Sequence, residues 1–362
     1  MKITVVKTNL YKVPLLRPAE DARHGTMHQV ELILVHLATD DGLTGCGYAY
    51  TIGSGGSAVK ALIDDYLAAG LVGQDPLFVE KIWEDAWWKI HWVGRGGLAS
   101  FALAAVDIAL WDLAAKRAGL PLYQYLGGHR RSIPAYGSGV DLHLSEEDLL
   151  AQVEGFLEEG FRWVKIKVGR EDFQEDLRRV RLVRDLIGPD IGLMVDVNMH
   201  WTAAQAITRG RALQEYDVLW LEEPLVPDDI QGHRQVAQAL DMAVAVGENL
   251  HTKYEFQHYL QADAVDVVQL DVVTVGGITE WLKVAALAEV HNLPITTHYA
   301  EEIQVHLLTA TPASWMAERH AYRLDHVLEN PITIKDGRIS PPDVPGHGMV
   351  FNEEKLGKYL VR

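Results

Sequence analysis

Six apolar runs, each ending in an ionisable side chain, follow one another through the second half of this chain and restrict its fold more than any other feature. They are Val164-Lys165-Ile166-Lys167, Leu193-Met194-Val195-Asp196, Leu219-Trp220-Leu221-Glu222, Val244-Ala245-Val246-Gly247-Glu248, Val267-Val268-Gln269-Leu270-Asp271 and Ile295-Thr296-Thr297-His298. From Asp196 onward the terminal residues recur roughly every 25 residues, enough for a strand, a turn, a helix of three to four turns and a second turn. Helical patterns such as Trp281 to Ala288 lie between the runs. The series predicts an α/β chain whose βα units close into a parallel barrel, with its chemistry at the C-terminal ends of the strands. Strand side chains alternate, so Lys165 and Lys167 share one face.

At 362 residues the chain has room for such a barrel and a smaller unit. Residues 1–128 are expected to form an α+β unit: antiparallel sheet to about residue 60, then helices with a stripe at Leu103, Val106, Leu110 and Leu113. The barrel is expected over 129–320, with 321–362, rich in Pro and Gly, packing back on the first unit. Two polar segments interrupt the sheet, Arg17 to Met27 and Thr51 to Ser57, and read equally as mobile loops over a cleft or as ordinary hairpin loops. Trp83, Trp87, Trp88 and Trp92 read as core; Asp107 and Asp112 read as a helix cap or ion pair, and Cys46 as a small buried filler.

A net charge of −17 argues against nucleic acid or an anionic membrane as the main partner. The single cysteine excludes an intrachain disulfide and cysteine-ligated zinc. The N-terminal run is too short for a signal peptide and no run approaches a membrane span, so a cytoplasmic protein is expected.

Asp196, Glu222 and Glu248 end three successive strands. Each alone reads best as a cap on the helix that follows. Three in register would repel one another in a cleft unless a divalent cation lay between them, and all-oxygen ligation favours Mg²⁺, with Mn²⁺ as a substitute. Asn198 and Glu223 are candidates to support these ligands. A lysine serves as a base when its pKa is depressed, which a second ammonium and a cation would achieve for Lys165 and Lys167. Asp271 and His298 end the next two strands, where a carboxylate could orient an imidazole.

These residues, with Val275-Gly276-Gly277 and Glu318, resemble the mandelate racemase subgroup of the enolase superfamily over nearly the whole chain. The resemblance implies a modified (β/α)7β barrel under an α+β capping domain built from the N-terminal region and the C-terminal segment. It further implies Mg²⁺ on Asp196, Glu222 and Glu248, and removal of the α-proton of a carboxylate substrate to give an enediolate. By the same resemblance Lys167 and His298 are the acid/base pair and Asp271 orients His298. Lys165 neutralises the substrate carboxylate, and Glu318, if protonated, donates a hydrogen bond to it. Lys or His bases used with Mg²⁺ are a known pattern of this superfamily.

The polar segment carrying Arg23 and His24 suits a polyhydroxy substrate better than an aryl one. Loss of a β-hydroxyl, an acid-sugar dehydratase giving a 2-keto-3-deoxy acid, is therefore the expected reaction. A 2-hydroxy-acid racemase or epimerase is the alternative, and a non-catalytic metal or sugar-acid binder a third. The subgroup also implies a homo-oligomer, often an octamer.

Overall fold

The computed structural model describes residues 1–361. Strands β1 (Ile3–Asp21), β2 (Gly25–Thr39) and β3 (Thr44–Thr51) form an antiparallel sheet in the order β1-β2-β3. The Arg17 to Met27 segment is therefore not a loop for most of its length. Ala19, Glu20 and Asp21 pair with Met27, Thr26 and Gly25, so the chain turns only at Ala22-Arg23-His24. Only the paired Ala19 and Met27 give this hairpin a buried apolar face, too short a pattern to reveal its strands. The Thr51 to Ser57 segment is pinned by Glu31, whose Oε2 accepts from Thr51 Oγ1 at 3.0 Å and from the Gly56 amide at 2.8 Å.

Helix Leu98–Ala118 packs against β3 at very short range. A side-chain carbon at Gly47 would stand 2.2 Å from the Ala105 carbonyl oxygen and 2.6 Å from the Ala109 nitrogen, both backbone atoms. Gly47→Val is accordingly expected to destabilise the protein by about 3 kcal/mol or more, at the upper end of overpacking costs. Urea unfolding should record this as a lower midpoint at unchanged slope.

This helix is also long and apolar enough to cross a membrane, contrary to the expectation that no run approaches that length, but most of it is buried inside the fold. Its two acids join the two halves of the molecule. Asp107 accepts from the Thr279 amide at 2.8 Å and the Thr279 hydroxyl at 2.6 Å, at the start of helix Ile278–Val290. Asp112 accepts from the Cys46 amide at 3.0 Å and the His347 amide at 3.1 Å.

Four of the residues read as core are not fully so, Trp87 being half-buried. Trp83 is buried and donates to the Gly276 carbonyl at 2.8 Å, but Trp88 and Trp92 are 55% and 90% exposed. Helix Val79–Ile90 turns only one face inward, and aromatic content alone does not say which. Cys46 is only half-buried.

The second half alternates strand and helix. Strands β4 (Ile133–Ser138), β5 (Trp163–Lys167), β6 (Gly192–Asp196), β7 (Val218–Glu222), β8 (Ala243–Val246), β9 (Val267–Leu270), β10 (Ile295–Thr297) and β11 (Ala317–Arg319) run in parallel. Each of the first seven is followed by a helix and the eighth is not, giving a (β/α)7β barrel. It closes where β11 pairs with β4 and where Ile295 bridges Ser314. Tyr136, Met194, Trp220, Ala245, Val267 and Met316 pack together in its interior. Beyond β11 the chain adds the short strands β12 (Ile334–Lys335) and β13 (Arg338–Ile339) to β4, then reaches the capping sheet where Leu360 bridges Tyr11.

Candidate active site

Strand register builds the site. Lys167 lies opposite Asp196, and Asp196 opposite Glu222, at the C-terminal ends of β5, β6 and β7. Glu248 follows β8 after Gly247, which adopts a φ of 154°; a side chain there would meet the Gln269 carbonyl oxygen at 2.2 Å. Ligand oxygens of Asp196, Glu222 and Glu248 all lie within 4.8 Å of one another, and all three residues are buried.

None of the three caps the helix after its strand. Those helices take their caps from Thr202, Asp229 and Thr252, whose side chains accept from Gln205, Gly232 and Glu255 amides. The capping explanation for the carboxylates therefore falls away. Burial pushes the Glu222 carboxyl well above its usual range; Lys165 opposes this, while Asp196, Glu318 and Glu248 add to it. Burial also works against the Asp196 anion, yet Lys167 and Lys165 hold it below its ordinary value. Glu248 Oε2 is buried and accepts no hydrogen bond. Three close, hard oxygen donors, one with an unfilled acceptor, fit a magnesium ion.

Burial alone would lower both ammonium groups of Lys165 and Lys167, but without a cation Glu222 and Glu318 raise Lys165 well above its ordinary value, and Asp196 raises Lys167. The cause is contact: Lys165 bonds to Glu222 and lies 2.8 Å from Glu318, and Lys167 bonds to Asp196. Burial favours the neutral form of Glu318, but Lys165 and His298 outweigh this, and its Oε2 accepts from the Tyr299 amide at 2.8 Å. Held in this way, Glu318 is the partner of Lys165, at 2.8 Å.

His298 Nδ1 lies 2.8 Å from Asp271 Oδ2, and Nε2 lies 3.6 Å from Glu248 Oε2. Asp271 is fixed in turn by the Val273 amide at 2.7 Å and the Tyr50 hydroxyl at 2.6 Å. Burial opposes the imidazolium, but Glu248 and the Asp271 hydrogen bond lift His298 to about 10.

Asn198 acts through its backbone, its amide donating to Asp196 Oδ1 at 2.8 Å, and its left-handed φ of 46° belongs to the turn after β6. Glu223 lies behind Glu248, accepting from the Gly247 amide at 3.3 Å and from Asn249 Nδ2 at 2.8 Å. Arg23 and His24 sit at the hairpin tip over the mouth of the barrel. Arg23 bonds to the Met199 carbonyl, Ala22 occupies the space beside Gly169, and His24 Nδ1 lies 3.0 Å from Asp21 Oδ2.

Sequence reasoning passed over Tyr50, Asp141 and His320. Asp141 accepts from the Lys167 amide at 3.0 Å, and His320 packs edge-on against His298 at 5.2 Å between ring centroids. The alternation Glu318-Arg319-His320 was a usable signal, because it puts His320 on the same side of the strand as Glu318.

A capped barrel with its titratable groups gathered at the C-terminal mouth is the architecture of the enolase superfamily. The chain belongs to the mandelate racemase / muconate lactonizing enzyme family: residues 3–127 match that family's N-terminal domain, and 148–355 match the domain described as enolase C-terminal domain-like. It is 43% identical to the 3,6-anhydro-alpha-L-galactonate cycloisomerase of Streptomyces coelicolor, over 98% of this chain and 99% of that protein. A racemase from Streptomyces coelicolor A3(2), solved with bound magnesium, superposes with a TM-score of 0.97 at 43% identity, covering 99% of this chain and all of that one. An L-talarate dehydratase from Polaromonas sp. JS666, solved with Mg and L-glucarate, superposes with a TM-score of 0.94 at 34% identity, covering 100% of this chain and 98% of that one. Its relatives thus include acid-sugar dehydratases and cycloisomerases, and the chain is an enzyme.

Proposed function

We propose that this enzyme removes the α-proton of an acid-sugar carboxylate and then expels the oxygen β to that carboxylate, giving a 2-keto-3-deoxy acid. The placement of Lys167 and His298 carries the reading: they end β5 and β10, across the barrel mouth from each other, with the three-carboxylate cluster between them. A substrate held there has an acid/base group on each side.

A magnesium ion on Asp196, Glu222 and Glu248, for which Mn²⁺ could substitute, would relieve their repulsion, remove the negative charge that raises Lys167 and His298, and stabilise charge developing on the substrate carboxylate. Asp271 accepts from His298 Nδ1–H, which leaves Nε2 free to exchange a proton with the substrate. Lys165, oriented by Glu318, neutralises the substrate carboxylate. In the elimination the enediolate electron pair forms the C2–C3 double bond as the C3–O bond breaks. The departing oxygen takes a proton from whichever of Lys167 and His298 did not accept the C2 proton, and the enol then tautomerises to the ketone. Arg23 and His24 face the far end of the substrate. Residues 129–320 carry the chemistry, and 1–128 with 321–362 close over it.

The same sequence covers both kinds of relative. A 3,6-anhydro acid has its ether oxygen on C3, so expelling it opens the ring and leaves an isomer, whereas an aldarate loses a C3 hydroxyl as water. The greater likeness to the cycloisomerase favours the ether oxygen, and the polar hairpin tip accepts either. Epimerisation is the second reading, supported by the presence of acid/base groups on both faces.

Incubation with Mg²⁺ in deuterated water, using 3,6-anhydro-α-L-galactonate and L-talarate, tests the reading. Keto acid from the first makes the enzyme a cycloisomerase and from the second a dehydratase. Deuterium at C2 without keto acid makes it an epimerase, and neither product from either acid overturns the proposal. Tyr50→Phe, which removes one donor from Asp271, is expected to lower kcat about tenfold, the worth of one hydrogen bond to a charged group. Unchanged kcat would mean that Asp271 is positioned without Tyr50.

A further inference from the structure

His320 is buried, yet one of its ring nitrogens has nothing to bond. Its Nδ1 accepts from the Tyr322 amide at 3.1 Å, and because a backbone N–H can only donate, the ring proton resides on Nε2. Tyr322 and Tyr299 hold the ring edge-on, at centroid separations of 4.3 and 5.5 Å. Burial pushes the imidazole well below its ordinary pKa; Glu318 pulls the other way, and His298, Lys167 and Lys165 reinforce the burial. The ring is therefore a neutral donor of fixed tautomer. Among the described residues no group accepts from Nε2, since the one hydrogen bond of the ring is the Tyr322 amide on Nδ1.

Side-chain atoms of His298, Glu318 and His320 lie within 4.8 Å of one another. A metal is a poor occupant of that space, because His320 offers it no lone pair: Nδ1 already accepts from the Tyr322 amide and Nε2 carries the ring proton. A substrate oxygen is a better one. The enediolate reading puts the substrate carboxylate beside Lys165 and the C2 proton within reach of His298 or of Lys167 opposite it, and His320 adjoins both the Lys165–Glu318 pair and His298.

We propose, building on that reading, that His320 is a further catalytic residue whose Nε2–H donates a hydrogen bond to the carboxylate oxygen that gains charge as the enediolate forms. A donor already in place, needing no reorganisation and neutral in both states, favours the transition state over the bound substrate. It therefore acts on kcat more than on KM.

Two substitutions separate this from a structural role. His320→Asn keeps an acceptor for the Tyr322 amide and loses the Nε2 donor; His320→Gln puts an amide N–H near the Nε2 position and loses the acceptor. With Mg²⁺, and with 3,6-anhydro-α-L-galactonate and L-talarate as probes, C2 proton exchange is measured alongside thermal unfolding. His320→Asn is expected to lower kcat by about 100-fold with KM within about threefold, and His320→Gln to stay within about tenfold of the wild type. An Asn variant with wild-type kcat overturns the proposal, as does equal loss in two folded variants. If the Asn variant does not fold, His320→Leu replaces it in the comparison with Gln, read by the same criteria. Absence of both exchange and keto acid with the wild-type enzyme on both acids overturns the enediolate reading itself, so the two failures are distinct.

Discussion

His298→Asn and Lys167→Ala are each expected to lower keto-acid formation by about 10²- to 10⁴-fold, the usual worth of a positioned general acid or base. Asn at 298 can still donate to Asp271, which keeps that carboxylate satisfied beside Tyr50 and the Val273 amide, but it has no nitrogen that gains or loses a proton at neutral pH. Ala at 167 removes an ammonium that bonds to Asp196 and so competes with any cation for that carboxylate. Mg²⁺ affinity, measured by titration calorimetry, should therefore be unchanged in the first variant and unchanged or tighter in the second. The two variants should also differ from each other. The one lacking the group that accepts the C2 proton loses deuterium exchange along with product, whereas the other keeps exchange and loses only elimination. Wild-type turnover by either variant would remove the paired acid/base assignment.

What could be read in advance, and what could not, follows from how each residue reaches the site. Lys165, Lys167, Asp196, Glu222, Asp271 and His298 lie at or next to the ends of β-strands, where period-two alternation and a recurring length place them with no further information. Tyr50 comes from β3 of the capping sheet and reaches Asp271 across 221 residues of sequence, so no local pattern announces it. His320 carried a local signal, its parity with Glu318, but lay where the barrel pattern stops. The ionisation states were not legible, because the direction of a lysine or glutamate shift depends on which charge lies at contact distance. Lys165 beside Glu318 is raised and Glu318 lowered in part by that one contact. The hairpin tip and Trp92 show the converse limit: composition identified polar and aromatic stretches correctly, but not which way they face.

Glu222→Gln should have the largest effect on metal binding, and its environment makes the result interpretable. Glu222 is fully buried between the Lys165 ammonium and the Trp220 indole, whose N–H it accepts at 3.0 Å. Gln fills the same volume and can still accept from the indole, so the change removes charge and little else. Glu222 also faces Asp196 and Glu248, whose negative charge disfavours its own. The metal-free variant should thus be no less stable than the metal-free wild type, provided that Lys165 keeps its contact with Glu318. The loss should appear only when metal is added. Removing a ligand is expected to weaken Mg²⁺ binding by at least the ~10- to 100-fold that outer partners of metal sites are worth. At a Mg²⁺ concentration 100 times the wild-type Kd, ligation stabilises the wild-type enzyme by about 2.7 kcal/mol, and a 100-fold weaker variant by only about 0.4 kcal/mol. Thermal unfolding with and without Mg²⁺ measures that difference directly, without a substrate. Equal metal-induced shifts in Tm would take Glu222 out of the ligand set and leave Asp196 and Glu248, which cannot by themselves account for three converging strand ends.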